Sequence, residues 1–158
     1  MNVAIAREAF ESGDARRLVG ELDAELSAIY KPEQRFGPDL RPEHVASGLG
    51  TFLVARIDGE AVGCGALRRL DAGSAEVKRM YVQPAARGRG LAMEVLARLE
   101  SAAREMGVTR LVLETGVHQG AAIALYTRAG FRPVPCWGEY ARSATSICFE
   151  KRIQPGPS

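Results

Sequence analysis

A run of β-forming residues, Ala75-Glu-Val-Lys-Arg-Met-Tyr-Val82, passes through Gln83-Pro-Ala-Ala-Arg-Gly-Arg-Gly90 into a segment whose apolar residues recur every three or four positions. Leu91, Val95, Leu96, Leu99, Ala103 and Met106 form one stripe and Gly107 ends it, so the segment reads as an amphipathic helix. Strand and helix together mark an α/β chain. At such a junction the first helical N–H groups have no intrahelical acceptor, and the helix dipole presents partial positive charge. Glycines let a ligand approach the backbone, and Arg87 and Arg89 add full charge. The constellation suits phosphate or pyrophosphate, although Gly-Arg-Gly also occurs in plain surface turns. No Gly-Lys-Ser/Thr follows, so it is not a Walker A loop. The dinucleotide fingerprint is absent too, because the third glycine is missing and an antiparallel hairpin precedes the loop.

The flanking chain supplies that hairpin. Thr51–Ile57 and Ala61–Leu67 bracket Asp58-Gly59-Glu60, a turn in which Gly59 tolerates positive φ. A second turn near Asp71–Gly73 leads into the strand ending at Val82. On that strand simple alternation puts Glu76, Lys78, Met80 and Val82 on one face, with Val77, Arg79 and Tyr81 on the other. Upstream, Val3–Ala9 suits an edge strand. Asp14 can cap a helix whose stripe is Ala15, Leu18, Val19, Leu22, Leu26 and Ile29. Tyr30–Gly50 is a proline- and glycine-punctuated loop with a short helix near Pro42–Ser47. Downstream come a strand at Arg110–Thr115, a helix carrying Ala121, Ala122, Leu125, Tyr126 and Ala129, and strands from Phe131 and over Ala144–Lys151. Residues 1–153 read as one domain, and 154–158 as a frayed tail.

Composition bounds the partners. The 158 residues are 46% hydrophobic and 25% charged, with a net charge of +2. That balance is ordinary for a globular protein and offers no basic stripe for nucleic acid. No apolar stretch approaches the ~20 residues of a membrane span, and Arg7 and Glu8 interrupt the N-terminal apolar run, unlike a secretory signal. Cys64, Cys136 and Cys148 form no CxxC pair, and His44 and His118 stand alone, so no metal site is expected. Each cysteine reads as a small buried hydrophobe in a reducing cytoplasm rather than as half of a disulfide.

Val77-Lys-Arg-Met-Tyr-Val-Gln-Pro-Ala-Ala-Arg-Gly-Arg-Gly-Leu-Ala92 resembles the acetyl-CoA loop of the GCN5-related N-acetyltransferases, whose signature is Gln/Arg-x-x-Gly-x-Gly/Ala. Arg87, Gly90 and Ala92 fill those places. Ala124-Leu-Tyr-Thr-Arg-Ala-Gly-Phe131 is similar to the family's Leu-Tyr-x-x-x-Gly-Phe segment. The resemblance runs from about Phe52 to Phe149. It implies a mixed, mostly antiparallel twisted sheet flanked by helices, with acetyl-CoA as cosubstrate. It further implies that the amides of Gly88, Arg89, Gly90, Leu91 and Ala92 hold the pyrophosphate. The pantetheine arm would lie where the strand ending at Val82 splays from Arg110–Thr115, and an amide near Met80, Tyr81 and Val82 would bind the thioester oxygen. One donor aimed at that oxygen can be worth ~10²–10³ in rate.

Two proton transfers remain. The resemblance points to Glu76 as the base that deprotonates the amine. The competing reading pairs Glu76 with Arg68, Arg69 or Arg79 at the surface, and Glu114, His118 or water are weaker alternatives. Tyr126 matches the family tyrosine that faces the coenzyme sulfur, and a phenol with free pKa ~10 can donate there. Without the motif it would read as a core aromatic. The asparagine that some relatives place after the Arg110–Thr115 strand is missing. The resemblance leaves the acceptor pocket to the variable stretches Tyr30–Gly50 and Pro133–Arg142, where Trp137 and Tyr140 could wall a small substrate, and Arg35, Arg41, Arg68 and Arg69 could hold a carboxylate, which would suit an amino-acid-like acceptor. The leading reading is acetylation of a small-molecule primary amine by direct attack. The alternatives are a protein or peptide amine, or an acyl-CoA sensor without turnover; a ping-pong route through a cysteine has no support beyond the cysteines themselves. These features leave room for a homodimer.

Overall fold

The computed structural model describes residues 1–156. Its strands are β1 (Val3–Arg7), β2 (Gly50–Ile57), β3 (Glu60–Arg69), β4 (Ser74–Val82), β5 (Arg110–Gly116), β6 (Arg132–Val134) and β7 (Ser146–Arg152). Its helices are α1 (Gly13–Ile29), α2 (Leu91–Glu105) and α3 (Gly120–Arg128). The sheet order is β1-β2-β3-β4-β5-β7-β6. Every pairing is antiparallel except β4–β5.

Helices cover both faces because the strands alternate. Leu53, Leu67, Val77 and Leu111 meet Val95, Leu96 and Leu99 of α2 and Leu125 of α3. Phe52, Val54, Cys64 and Ala66 meet Ala15, Leu18 and Leu22 of α1. The α1 stripe is thus buried as its spacing predicts, although Ile29 is exposed. The cap of α1 is Ser12 rather than Asp14: the Ser12 hydroxyl accepts from the Ala15 amide at 3.0 Å. Asp14 falls inside the first turn, where it pairs with Arg56 at 2.8 Å. In the β2–β3 hairpin, Asp58 and Gly59 both take positive φ, +50° and +86°, matching the strand twist.

The simple alternation expected of β4 fails midway. Cys64 pairs with Tyr81 but Ala66 pairs with Lys78, so two residues of β4 face one of β3. Arg79 at this bulge is left-handed, φ +57°. The extra residue reverses the facing: Val77, Met80 and Val82 now share the α2 side, whereas Tyr81 joins the α1 side. Pairing between β4 and β5 stops at Glu76–Val112. Beyond that rung the strands part, and the cleft between them is the site.

The cysteine reading also needs correction. Cys136 and Cys148 are disulfide-bonded. Val134 pairs with Cys148 in the β6–β7 hairpin, and Cys136, two residues on, comes back within a Cα–Cα distance of 5.1 Å. Sequence spacing could not show that return. The pairing removes the cysteine argument for a reducing compartment; Cys64 stays free and buried. The long loop holds two 3₁₀ turns, Pro32–Gln34 and Pro42–Val45, in place of one short helix. Part of the expected frayed tail is held: the Gly156 amide donates to the Arg104 carbonyl at 2.8 Å. The rest of it, Pro157 and Ser158, lies outside the described residues. No described helix is long and apolar enough to cross a membrane.

Candidate active site

The loop after β4 makes one 3₁₀ turn, Pro84–Ala86, and then two left-handed glycines, Gly88 at φ +82° and Gly90 at φ +77°. Gly90 is the N-cap of α2 and supplies no side chain to cap it. Its carbonyl accepts from Glu94, which leaves Leu91 and Ala92 without intrahelical acceptors. Among the described residues, the amides of Gly88, Arg89 and Gly90 have no hydrogen-bond partner either. The result is a continuous row of main-chain donors at the positive end of a helix, a site for an anion. The arginine side chains do not join it. Arg87 turns back, its Nε donating to the Val82 carbonyl at 2.8 Å and its Nη2 to Glu25 at 2.6 Å, with the guanidinium 5.8 Å from the Tyr81 ring. Arg89 is exposed and reaches the Met1 Sδ at 3.3 Å.

From this row a cleft of about 1030 Å³ follows the gap between β4 and β5. Met80, Tyr81 and Val82 line it on the β4 side, Glu114 and Tyr126 on the other. Beyond Glu76 the β5-facing edge of β4 has no strand partner, and the bulge leaves Arg79 and Met80 unmatched on β3. That stretch of main chain is the one an acyl oxygen could meet.

Tyr126, on α3, packs its ring against Phe131 and Phe149, with centroids 5.9 and 6.2 Å away. Its hydroxyl makes no hydrogen bond among the described residues. Burial pushes its pKa well above the ordinary phenol value, and the Glu114 charge adds to the push. It is therefore a fully protonated donor at neutral pH. The ring is packed in the core while the residue lines the cleft.

Glu76 does not pair with Arg68, Arg69 or Arg79. It is 2% exposed; the Tyr140 hydroxyl donates to it at 2.8 Å, and Lys78 Nζ lies 3.6 Å away. Lys78 also donates to the Tyr140 oxygen at 3.0 Å. Burial lowers the Lys78 pKa, opposed by Glu76, and raises that of Tyr140 with help from Glu76. No local sequence signal marks Lys78 and Tyr140 as the residues that hold Glu76, and Tyr140 lies 64 positions away in sequence.

Glu114 is held differently. Ser146 Oγ donates to it at 2.5 Å, and no cation lies within ion-pair distance among the described residues. Burial raises its pKa above the ordinary glutamate value, partly offset by Ser146 and Lys78. His118 lines the cleft beyond, its amide donating to the Tyr30 hydroxyl at 3.1 Å.

The far wall comes from the two variable stretches. Gly37 lies so close to Tyr140 that a Cβ there would come within 2.3 Å of the ring. Thr145 Oγ1 donates to the Gln34 carbonyl at 3.1 Å. Of the four arginines proposed for a carboxylate, Arg35 alone lines the cleft, and it is paired with Asp23 at 3.0 Å. No described group of three or more metal-ligating side chains comes together.

Comparison with known proteins agrees with this geometry. The sequence profile of the acetyltransferase (GNAT) family matches residues 13–131. A protein named IAA acetyltransferase from Azospirillum brasilense is 42% identical over 153 residues, 96% of this chain and 99% of its own length. A crystal structure described as an acyl-CoA N-acyltransferase of Klebsiella pneumoniae superposes with a TM-score of 0.80 at 36% identity, covering 95% of this chain and 97% of that one. The fold is shared more distantly by a GNAT acetyltransferase of Elizabethkingia anophelis solved with acetyl-CoA, TM-score 0.70 and 20% identity, covering 96% and 99%. With a helix start lined by unpartnered main-chain amides, a split sheet and a buried tyrosine in one cleft, and a profile spanning most of its length, the chain belongs to the GNAT family of acetyltransferases.

Proposed function

We propose that this N-acetyltransferase moves the acetyl group of acetyl-CoA to a primary amine of a small molecule, with both substrates bound together. The observation that carries the reading is the row of unpartnered main-chain N–H groups at Gly88, Arg89 and Gly90, continued by the free helix-start amides of Leu91 and Ala92 and joined to Tyr126 by one cleft. A pyrophosphate fits that row, because fixed amides and a helix dipole both favour its charge. Acetyl-CoA supplies the acetyl thioester, whose carbon gains a bond to the amine nitrogen as its bond to sulfur breaks.

The chain's own groups then divide the work. Main chain near Met80, Tyr81 and Val82 offers an N–H to the oxygen that becomes negative. Tyr126 donates a proton to the departing sulfur. For the amine proton, Glu76 and Glu114 are the two candidates. Glu76 is already engaged by Tyr140 and Lys78. Glu114 has only Ser146, and a raised pKa makes it the stronger base once ionised. The contacts favour Glu114 as base, with Glu76 fixing Tyr140.

A small acceptor is supported by the wall. The Tyr30–Gly50 and Pro133–Arg142 stretches meet through Gly37 and Tyr140, Thr145 just beyond donates to the Gln34 carbonyl, and together they wall that end of the cleft. The name of the Azospirillum brasilense relative is in keeping with a small substrate. The test has two parts. Acetyl-CoA at ~100 times its dissociation constant raises stability by about 2.7 kcal/mol, and an amine library assayed by release of free thiol identifies the acceptor. Absence of any thermal shift overturns the coenzyme assignment; turnover with peptides alone overturns the small acceptor.

A further inference from the structure

Lysine is scarce in this chain: three of its 21 basic residues are lysine and the rest arginine. Lys31 is exposed at the start of the long loop, and Lys151, on β7, pairs with Glu100 at 2.6 Å. Lys78 is the one that lines the cleft, with a side chain 11% exposed. It lies two residues past Glu76, where pairing with β5 ends, and two before Met80. An amine of the protein itself thus stands on the stretch of β4 that faces the open cleft.

Its surroundings suit an amine that reacts. Glu76 Oε2 lies 3.6 Å from Nζ, and the Tyr140 oxygen accepts from it at 3.0 Å. The other charges acting on it are Arg79, Arg68 and Glu114. Burial lowers the Lys78 pKa from the usual lysine value, so the neutral amine that can attack a thioester is easier to reach than on an exposed lysine. Nor does Glu76 depend on Lys78 alone for a nearby cation. Arg68 stands opposite Glu76 in the β3–β4 register, and its buried Nε and Nη1 have no hydrogen-bond partner among the described residues. A cation therefore remains across from Glu76 when Lys78 gives up its charge.

We propose that Lys78 is an acceptor of the enzyme's own acetyl transfer, a modification site at the acceptor end of the cleft. The Lys78 ammonium gives one proton to Glu76, and the free Nζ attacks the thioester carbon. The nitrogen–carbon bond forms as the carbon–sulfur bond breaks. The sulfur takes a proton from Tyr126, which the second proton leaving the nitrogen replaces. The products are Nε-acetyl-lysine and the free thiol of CoA, with the proton on Glu76 released to water. The acetylated side chain carries no charge, so the acceptor end passes from an ammonium to a neutral amide. The proposal rests on the acetyl-CoA reading above.

Purified protein incubated with acetyl-CoA and no added amine is expected to gain the mass of one acetyl group. Peptide mass spectrometry should place it on Lys78, with Lys31 and Lys151 unmodified. The rate should not change with protein concentration, as for transfer within one chain. Tyr126→Phe and Glu76→Gln are each expected to slow labelling ~10²-fold, which spontaneous acetylation of a lysine would not show. Tyr126→Phe keeps the ring and decides the matter if Glu76→Gln does not fold. No gain of mass, labelling led by exposed Lys31, a rate that rises with protein concentration, or an unslowed Tyr126→Phe overturns the proposal. Calorimetry with acetyl-CoA keeps the two readings apart. Binding without labelling strikes Lys78 alone, whereas absence of binding strikes the acetyl-CoA reading and Lys78 with it.

Discussion

At the α2 end of the cleft the polar surface is main chain, drawn from consecutive residues 88–92. At the opposite end it is side chain, drawn from β4, β5, the Tyr30–Gly50 loop and the stretch beyond β6, with partners such as Tyr140 and Glu76 separated by 64 positions. The first end needs only a tight corner and two glycines at positive φ, so its chemistry is nearly indifferent to which side chains surround it. The second depends on carboxylates, a lysine and phenols holding one another. On the proposed reading, the coenzyme end stays constant in kind while the acceptor end can change by altering a few remote residues.

The largest effect should come where the two ends meet. Tyr126→Phe removes the proposed donor to sulfur and is expected to lower kcat by ~10²–10⁴, with acetyl-CoA affinity little changed because the ring packing against Phe131 and Phe149 survives. An unaltered kcat in steady-state assays would remove Tyr126 from the mechanism.

Next is the base. It must be ionised to accept the amine proton, and burial favours the neutral acid of Glu114. Activity should therefore rise with pH through a value above the usual glutamate range. Glu114→Gln should abolish that limb and cost ~10²-fold. A limb that survives in Glu114→Gln but vanishes in Glu76→Gln would return the role to Glu76.

The disulfide tests whether the acceptor end can be loosened alone. Cys136→Ser should cost about 2–4 kcal/mol of stability. It also frees a segment carrying Trp137 and Tyr140, whose rings lie 5.3 Å apart. The KM for the amine should rise while acetyl-CoA affinity holds, and equal changes in both would show that the two ends are not separable.

The smallest effect is expected at Arg87. Its side chain binds Val82 and a half-exposed Glu25 rather than the donor row, so Arg87→Ala should cost no more than about 1 kcal/mol of stability and leave acetyl-CoA affinity within a few-fold. A large loss would mean that side chains, not amides, hold the phosphates.

Legibility followed the same divide. The loop, the α2 stripe and the Asp58-Gly59 turn could be read directly, because each is set by residues a few positions apart. The α1 cap was misplaced by two residues, since Ser12 and Asp14 are both good caps and only the path of the preceding chain chooses between them. The alternation in β4 failed because a bulge is set by the partner strand: Gly65 and Cys64 on β3 admit the extra residue at Arg79. The Cys136–Cys148 bond and the Tyr140–Glu76–Lys78 cluster depend on which strands become neighbours, and spacing along the chain does not encode that.

The sequence alone determined most of the strands and helices, the glycine corner between β4 and α2, the candidate Tyr126 and the family likeness, because local backbone preferences and short motifs need no distant partner. Tertiary structure decided which partners hold Glu76 and Glu114, how β4 turns and what walls the far end of the cleft. Those properties come from burial and hydrogen bonding between remote segments, and such contacts exist only once the sheet has assembled.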